Sequence, residues 1–231
     1  MRRGMIRPYL IASVLIAIVT MMARPVSAEW YVAGMAGGAF PNALSNVKER
    51  EFPTFNTPAG TKATDFQMAN SIMAGAKVGY FFERWKWFGI EGEVYRYSPN
   101  FKQQTVTDVQ PNGASNTVQR PGSNHIVTNA NLNLVARAQL GAFEPYAGLG
   151  VGAFLQQWNM PNRENGYPPI NISSGRTGFN VEAGLRYRIQ EHFAVFSEWK
   201  FNHARPFFDS PSTVQGEYNV HFAVFGVGYH F

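Results

Sequence analysis

The sequence has 231 residues, no cysteine, and 45% hydrophobic against only 15% charged residues. Its 20 lysines and arginines outnumber its 15 acidic residues, which gives a formal net charge of +5. Without cysteine, a disulfide scaffold, an iron–sulfur protein and thiol catalysis are excluded. The 15% of aromatic residues and the low charge argue against disorder. The basic balance raises the question of a nucleic-acid partner, which depends on where the charges lie.

Residues 1–28 have the pattern of a cleaved export signal. Three arginines precede an apolar run over residues 10–22, and a small-x-small sequence ends at Ala28. The run is shorter than the roughly 20 residues of a spanning helix, which disfavours the alternative of a retained membrane anchor. Removal of the signal leaves a domain of residues 29–231 with 16 basic and 15 acidic residues, a net charge of +1. We therefore expect no nucleic-acid partner.

Beyond residue 28, apolar and polar residues alternate with period two over stretches of about ten residues, as in strands with one apolar face. Leu132 and Leu134 share one face of such a stretch, whereas Asn131, Asn133 and Arg137 share the other. No stretch after residue 28 reaches 18 apolar residues. Eight strands are predicted, over residues 29–40, 68–81, 87–98, 126–140, 145–157, 178–190, 192–203 and 217–231.

The connections between these strands alternate in length. Short turns near residues 82–86, 141–144 and 191 separate long polar loops over residues 41–67, 99–125, 158–177 and 204–216. This order predicts an all-β fold, an eight-stranded antiparallel up-and-down transmembrane β-barrel with long outer loops. A soluble eight-stranded barrel, which would hold its apolar face inside, is the alternative.

Charged residues of both signs lie at mid-strand on the polar faces. A turn centred near residue 84 would set Lys77 opposite Glu91, and cross-strand pairs of opposite charge stabilise a sheet. We therefore expect a structural salt-bridge network in the barrel interior. Its predicted members are Lys77, Glu91, Glu93, Arg137, Glu182, Arg186, Arg188, Glu198 and Lys200.

A second turn, near residue 191, constrains the other half of this network. It would set Glu182 opposite Lys200, or alternatively Arg186 opposite Glu198. The predicted network contains four acids and five bases, and this near neutrality suits a closed interior filled with side chains. An ordinary solvated sheet face remains the alternative.

The last strand ends on Phe231, and Tyr229, Val227 and Phe225 lie on the same face. This ending resembles the assembly signal of outer-membrane barrels, so the barrel-assembly machinery is an expected partner during biogenesis. Aromatic residues near strand ends are typical of membrane-interface girdles. The predicted girdle residues are Trp30, Tyr31, Tyr80, Trp85, Trp87, Tyr97, Trp158 and Tyr187.

Three segments carry a resemblance to a known family: the opening EWYVAGMAGGAF, the central PYAGLGVGAF, and the ending, which consists of EWKFNHARPFF and, after an interval, HFAVFGVGYHF. They resemble the small bacterial outer-membrane β-barrel family that includes OmpA-type transmembrane domains and opacity-like porin family proteins. The resemblance covers residues 29–231 and implies a place in the outer membrane. The sequence stops at the eighth predicted strand, so the peptidoglycan-binding domain of full-length OmpA is not expected.

These features predict a non-enzymatic barrel that contributes to envelope integrity and presents loops for surface interaction. A porin-like pore for small solutes is the first alternative. A lipid A-modifying hydrolase is the second, because His203 and His221 flank the last loop, where Ser210 or Ser212 with Asp209 would complete a triad. The closely spaced His and Ser of lipid A deacylases is missing, which favours amphipathic histidines at the headgroup level.

Lipid and lipopolysaccharide of the outer membrane are the expected partners, besides an unidentified ligand of the loops. Arginine matches phosphate geometry, so basic loop residues could bind lipopolysaccharide phosphates; simple solvation is the alternative. No cofactor or metal is expected, since the five histidines have no metal-ligand spacing. The basic loop residues are Lys48, Arg50, Lys62, Arg120, Arg163, Arg176 and Arg205.

Overall fold

The computed structural model describes residues 29–49, 58, 60–160, 170–209 and 213–231. No helix in this part of the chain is long and apolar enough to cross a membrane. The predicted signal peptide lies outside the described residues. The strands are β1 (Glu29–Pro41), β2 (Ser45–Glu49), β3 (Thr61–Ala63), β4 (Ser71–Phe81), β5 (Phe88–Tyr97), β6 (Gln104–Val109), β7 (Ser115–Arg120), β8 (Asn124–Arg137), β9 (Phe143–Met160), β10 (Ile170–Arg188), β11 (Phe193–Ala204), β12 (Phe207–Asp209) and β13 (Thr213–His230).

Eight of these strands form a closed antiparallel barrel. Their order is β1-β4-β5-β8-β9-β10-β11-β13, and pairing of β1 with β13 closes the ring. Tyr31 lies opposite His230 at one end of this closing pair, and Pro41 lies opposite Val220 at the other. The predicted fold class is therefore confirmed, with each barrel strand within a few residues of its predicted position, apart from extensions at the loop end.

The direction of the side chains decides between a membrane barrel and a soluble one. On β8, Leu132 and Leu134 point outward and are 60% and 48% exposed, whereas Asn131, Asn133 and Arg137 point inward and are buried. A soluble barrel would hide the leucines and expose the polar residues. The apolar outer surface is the arrangement that a bilayer requires.

Aromatic side chains ring the end of the barrel that carries the short turns. Trp30, Trp85, Trp87 and Tyr187 are exposed there, as predicted for an interfacial girdle. For three other predicted girdle residues the prediction is wrong. In the alternation of inward and outward side chains along their strands they occupy inward positions, and they are buried. These residues are Tyr31, Tyr97 and Trp158.

The predicted long loops contain regular structure that the sequence analysis missed. Strands β2, β3, β6 and β7 continue from the loop end of β13 as a sheet in the order β13-β2-β3-β6-β7. Of the predicted loop 158–177, the described residues 158–160 and 170–177 are strand, since β9 extends to Met160 and β10 begins at Ile170. The barrel wall therefore rises above the apolar band on the loop side, which is the outer side in barrels of this type.

Apolar side chains fill the interior beneath this outer sheet. The ring of Phe101 packs against that of Trp158, with centroids 4.9 Å apart, and the Trp158 indole Nε1 donates to Ser123 Oγ at 2.7 Å. The outer end of the lumen is therefore packed with side chains. Its buried residues include Leu44, Val47, Phe66, Met68, Phe101, Val106, Trp158, Ile172, Tyr218 and Val220.

Candidate functional site

The middle of the barrel interior holds two lysines surrounded by glutamates. Lys77 Nζ lies 2.6 Å from Glu198 Oε2 and 3.3 Å from Glu91 Oε2. Lys200 Nζ lies 2.9 Å from Glu198 Oε1, so Glu198 bridges the two ammonium groups. All of these side chains are buried. The contacts join strands β4, β5 and β11, which means that the ion pairs cross the lumen.

Lys200 gathers two further carboxylates from other strands. Its Nζ lies 2.7 Å from Glu93 Oε2 and 2.5 Å from Glu182 Oε2. One carboxylate oxygen from each of Glu91, Glu93 and Glu182 lies within 4.8 Å of the others, a spacing that could also hold a metal ion. Because the Lys200 ammonium contacts two of these three carboxylates, the charge that a cation would supply is already present.

The four buried glutamates also accept hydrogen bonds from uncharged side chains. Asn131 Nδ2 donates to Glu93 Oε1 at 3.0 Å, and Asn133 Nδ2 donates to Glu182 Oε2 at 3.2 Å. Tyr146 OH donates to Glu198 Oε2 at 2.7 Å, while Tyr31 OH donates to Glu91 Oε2. Buried carboxylates need such donors, because an unpaired charge in a protein interior is strongly destabilising.

A second group of charges lies toward the short-turn end. Arg137 Nη1 and Arg186 Nη1 lie 3.3 Å and 3.4 Å from Glu144 Oε2. Arg188 pairs with both Glu144 and Glu29, and Arg137 also pairs with Glu29. Three guanidinium groups thus share two carboxylates, and aromatic faces provide further contacts, since the Arg137 guanidinium lies 3.6 Å from the ring centroid of Phe81.

The nine predicted interior residues therefore lie in two layers. The middle layer holds Lys77, Glu91, Glu93, Glu182, Glu198 and Lys200, and the lower layer holds Arg137, Arg186 and Arg188. Two acids of the lower layer, Glu29 and Glu144, were not among the predicted interior residues. Glu29 is the first residue after the predicted export signal, and Glu144 lies in a predicted turn. The only sequence signal for them was their position in the alternation of inward and outward residues along each strand.

The backbone register corrects two predicted pairs. Lys77 lies opposite Glu93 and not opposite Glu91, although its side chain still reaches Glu91 diagonally. Glu182 lies opposite Lys200, as in the first of the two registers considered. The alternative pairing of Arg186 with Glu198 is wrong, because Arg186 lies opposite Phe196.

Glycines on β9 make room for this polar layer. A Cβ atom on Gly152 would lie 1.8 Å from Asn131 Oδ1, and one on Gly150 would lie 2.1 Å from Asn133 Oδ1. A side chain at either position would displace the asparagine that holds a glutamate. Small residues on β9 are therefore required by the close approach of β8 side chains.

The two histidines considered for a hydrolase lie on the outer face. His203 Nδ1 and Asn219 Oδ1 are 2.7 Å apart, and the His221 ring packs 5.0 Å from that of Phe201. Neither contact is with an acid. Ser210, Ser212 and the side chain of Asp209 lie outside the described part of the structure. Among the described groups, the contacts are those of amphipathic histidines packed on aromatic neighbours.

The last strand carries its four aromatic and apolar end residues on the outer face. Phe225, Val227, Tyr229 and Phe231 are all exposed there. The Phe231 amide donates to the Trp30 carbonyl at 3.0 Å, and its ring centroid lies 5.1 Å from that of Tyr229. The C-terminal residue thus sits at the seam where β13 meets β1.

Solved structures of other proteins have a fold similar to this barrel. Neisserial surface protein A has a similar fold, with a TM-score of 0.56, 11% identity, and coverage of 87% of this chain and 97% of that one. OprG from Pseudomonas aeruginosa is similar at a TM-score of 0.55 and 17% identity, over 89% of this chain and 96% of OprG. The outer membrane protease OmpT from Escherichia coli reaches 0.51 at 9% identity, over 90% and 97%.

These likenesses concern the fold alone, and no curated protein matches the sequence significantly. The family model of the outer membrane protein beta-barrel domain, however, matches residues 11–231, nearly the whole chain. The protein therefore belongs to the outer membrane protein beta-barrel domain family and resides in the bacterial outer membrane.

Proposed function

We propose that this barrel is a non-enzymatic envelope protein that contributes to outer-membrane integrity and presents its outer loops for surface interaction. The observation that carries the proposal is that two ion pairs cross the lumen: Lys77 reaches Glu198, and Lys200 reaches Glu93. An eight-stranded barrel is only wide enough for side chains to fill. A filled interior suits a membrane anchor better than a conduit.

The alternative of a small-solute pore needs a continuous aqueous path through the barrel. Two charged layers and the outer apolar cluster around Phe101 and Trp158 lie in series along the axis. A solute would have to displace all three. This arrangement favours the integrity role over the pore.

The contacts of His203 favour a non-enzymatic role as well. A Ser-His-acid site requires the histidine to be oriented by a carboxylate and to reach a nucleophile. Among the described side chains, the polar partner of His203 is Asn219. Mass spectrometry of lipid A from cells with and without the protein tests this part of the proposal. Loss of an acyl chain that His203→Ala abolishes would contradict it.

We also propose that the C-terminal residues Phe225, Val227, Tyr229 and Phe231 serve as the assembly signal for the barrel-assembly machinery. Their exposed side chains and the position of Phe231 at the β1–β13 seam support this role. They lie on β13, one of the two strands whose pairing closes the ring.

Outer-membrane permeability in a deletion strain tests the integrity role against the pore. Loss of a structural barrel should increase entry of a hydrophobic dye and sensitivity to detergent. A variant in which residues 104–120, the β6–β7 hairpin, are replaced by two glycines should restore the barrier as well as the wild type. Loss of a pore should instead slow the uptake of small hydrophilic solutes, with an unchanged dye barrier.

A further inference from the structure

We propose that the barrel interior binds one proton beyond those of its lysines and arginines, and that the clustered carboxyl groups of Glu91, Glu93 and Glu182 hold it. One carboxyl group of this cluster is then a neutral carboxylic acid at neutral pH. Its ionisation in alkali weakens the closed lumen. The site rests on the packing of the interior and is independent of the proposed role in integrity.

The charges of the two interior layers do not balance without this proton. The middle layer contains four carboxylates and two ammonium groups. The lower layer contains three guanidinium groups and two carboxylates. Six acids thus face five bases among these side chains, and one negative charge is left over. An uncompensated charge is strongly disfavoured in a protein interior, so one acid is expected to be neutral.

The excess of negative charge lies in the middle layer. One carboxylate oxygen from each of Glu91, Glu93 and Glu182 lies within 4.8 Å of the others. All three residues are at most 3% exposed. Carboxylates this close together repel each other strongly where water is excluded. Closely spaced carboxyl groups relieve the repulsion by keeping a proton on one of them.

The space between these carboxyl groups suits a proton and not a metal ion. Lys200 Nζ lies 2.7 Å from Glu93 Oε2 and 2.5 Å from Glu182 Oε2. A metal ion bound by the same two carboxylates would lie beside this ammonium group, and like charges at such a separation repel each other strongly. A proton takes no space of its own. It converts one carboxylate into a carboxylic acid and leaves the contacts of Lys200 in place.

Glu182 has the fewest hydrogen-bond donors of the three carboxyl groups. Its Oε2 accepts from Lys200 Nζ and, at 3.2 Å, from Asn133 Nδ2. Its Oε1 is buried and accepts no hydrogen bond from any described residue. Such an oxygen suits the hydroxyl of a neutral acid, whereas a buried carboxylate needs donors at both oxygens. Glu198, by contrast, contacts two ammonium groups and the Tyr146 hydroxyl.

Amide oxygens in the same layer are a second observation that points to a missing donor. Asn131, Asn133 and Asn180 each donate through Nδ2 to a glutamate. The three asparagines are at most 5% exposed, and their Oδ1 atoms accept no hydrogen bond within the described part of the chain. The layer therefore has more acceptors than donors. A proton on a carboxyl group adds one donor.

Ionisable side chains from several strands surround Glu182, and coupled carboxyl groups of this kind titrate as one unit. The surrounding residues are Tyr31 on β1, Lys77 on β4, Glu91, Glu93 and Tyr95 on β5, Tyr146 on β9, Arg186 on β10, and Glu198 and Lys200 on β11.

The bound proton makes the stability of the barrel depend on pH. Glutamates of an unfolded chain lose their protons at about pH 4.3. Above that pH, unfolding releases the proton that the folded cluster holds. The unfolding equilibrium constant should therefore rise about tenfold for each pH unit, until the cluster ionises in the folded barrel as well. Within this range, the closed lumen is more stable in acid than in alkali.

Infrared spectroscopy of the barrel in detergent detects the proton directly. A neutral carboxylic acid has a C=O stretch above the amide I band, and a carboxylate has none there. Solvated acids are ionised at neutral pH and do not contribute. The wild type should show this band at neutral pH and lose it in alkali. Glu182→Gln should lack the band, because five acids then face five bases.

The matched control is Glu191→Gln, which makes the same substitution at an exposed glutamate of a short turn. It should keep the band. Urea titrations at about pH 6 and about pH 8 then measure the linked effect. The unfolding constant of wild type and control should rise about a hundredfold between them, and that of Glu182→Gln should rise much less. This comparison cancels the titration of the histidines.

Heat-modifiable migration on gels checks that both variants are folded, and the band of the wild type and its loss in alkali test the proposal without any variant. A wild-type barrel without the band at neutral pH would overturn the bound proton, as it would if a protonated His230 supplied the missing charge. A band of full intensity in Glu182→Gln, or equal pH dependence of this variant and the wild type, would overturn its location in the cluster.

Discussion

Lys77 of β4 and Glu198 of β11 meet across the barrel interior, with Nζ and Oε2 2.6 Å apart. These strands are not neighbours in the barrel, because β1 and β13 separate them. The ion pair therefore spans the lumen, and it is not a pair between neighbouring strands of one wall. Together with the contacts of Lys200, it closes the lumen at mid-height and underlies the predictions that follow.

Replacement of Lys200 should destabilise the barrel severely. The substitution Lys200→Met leaves Glu93, Glu182 and Glu198 without their shared ammonium, and breaking a buried pair in this way costs about 3–5 kcal/mol. Urea titration of the barrel in detergent measures the free energy of unfolding.

Two comparisons make that test specific. Lys102→Met, at an exposed lysine in an outer loop, should leave the free energy of unfolding unchanged. Adding Glu182→Gln to Lys200→Met should recover part of the loss, because one of the uncompensated charges is removed. Equal stabilities of the two lysine variants would contradict a role for buried pairing.

Alanine substitutions at Gly152 and Gly34 distinguish crowding in the barrel interior from the general effect of replacing a glycine. Gly152→Ala should cost about 1–3 kcal/mol, since the new methyl group displaces Asn131 from Glu93 and Tyr95. Gly34→Ala meets nothing within 4 Å and should leave stability unchanged or slightly raised. The same urea titration provides both values. A loss at Gly34 as large as that at Gly152 would contradict the inward packing.

Phe231 should matter for assembly more than its exposed position suggests. In cells, Phe231→Ala should reduce the rate at which the folded, heat-modifiable form accumulates by several fold, because the terminal side chain belongs to the proposed assembly signal. Pulse-chase labelling with unboiled gels follows this rate. Phe193→Ala is the matched control, since Phe193 lies at the same end with nearly equal exposure, 46% against 45%. If both substitutions slowed assembly equally, the loss of apolar surface alone would explain the effect, which would contradict a specific role for Phe231.

The sequence predicted the faces of the strands better than their registers. Period-two alternation placed Lys77, Glu91 and Glu93 inside, and all three are buried. The predicted Lys77–Glu91 register was wrong by two residues, because the β4–β5 turn is centred one residue later than assumed. A shift of two residues preserves which face a side chain occupies. These residues therefore point inward as predicted, although the predicted pairing was wrong.

The elements that the sequence did not reveal lack an alternating pattern. All residues of β7 but the last are exposed, so no apolar face marks this strand, and its structure depends on pairing with β6. Glu29 and Glu144 sit at strand ends, where composition does not distinguish an inward residue from a turn. Their partners are set by the closure of the ring, which brings Arg137 and Arg188 to both of them.

Single-channel recording in planar bilayers tests the filled interior most directly. Purified barrel, shown to be folded by heat-modifiable migration, is incorporated at high protein-to-lipid ratio under an applied voltage. The crossed ion pairs of Lys77 and Lys200 predict a silent membrane, without stable conductance steps. Reproducible steps of constant size from the wild-type protein would contradict a lumen closed by side chains and would support the pore.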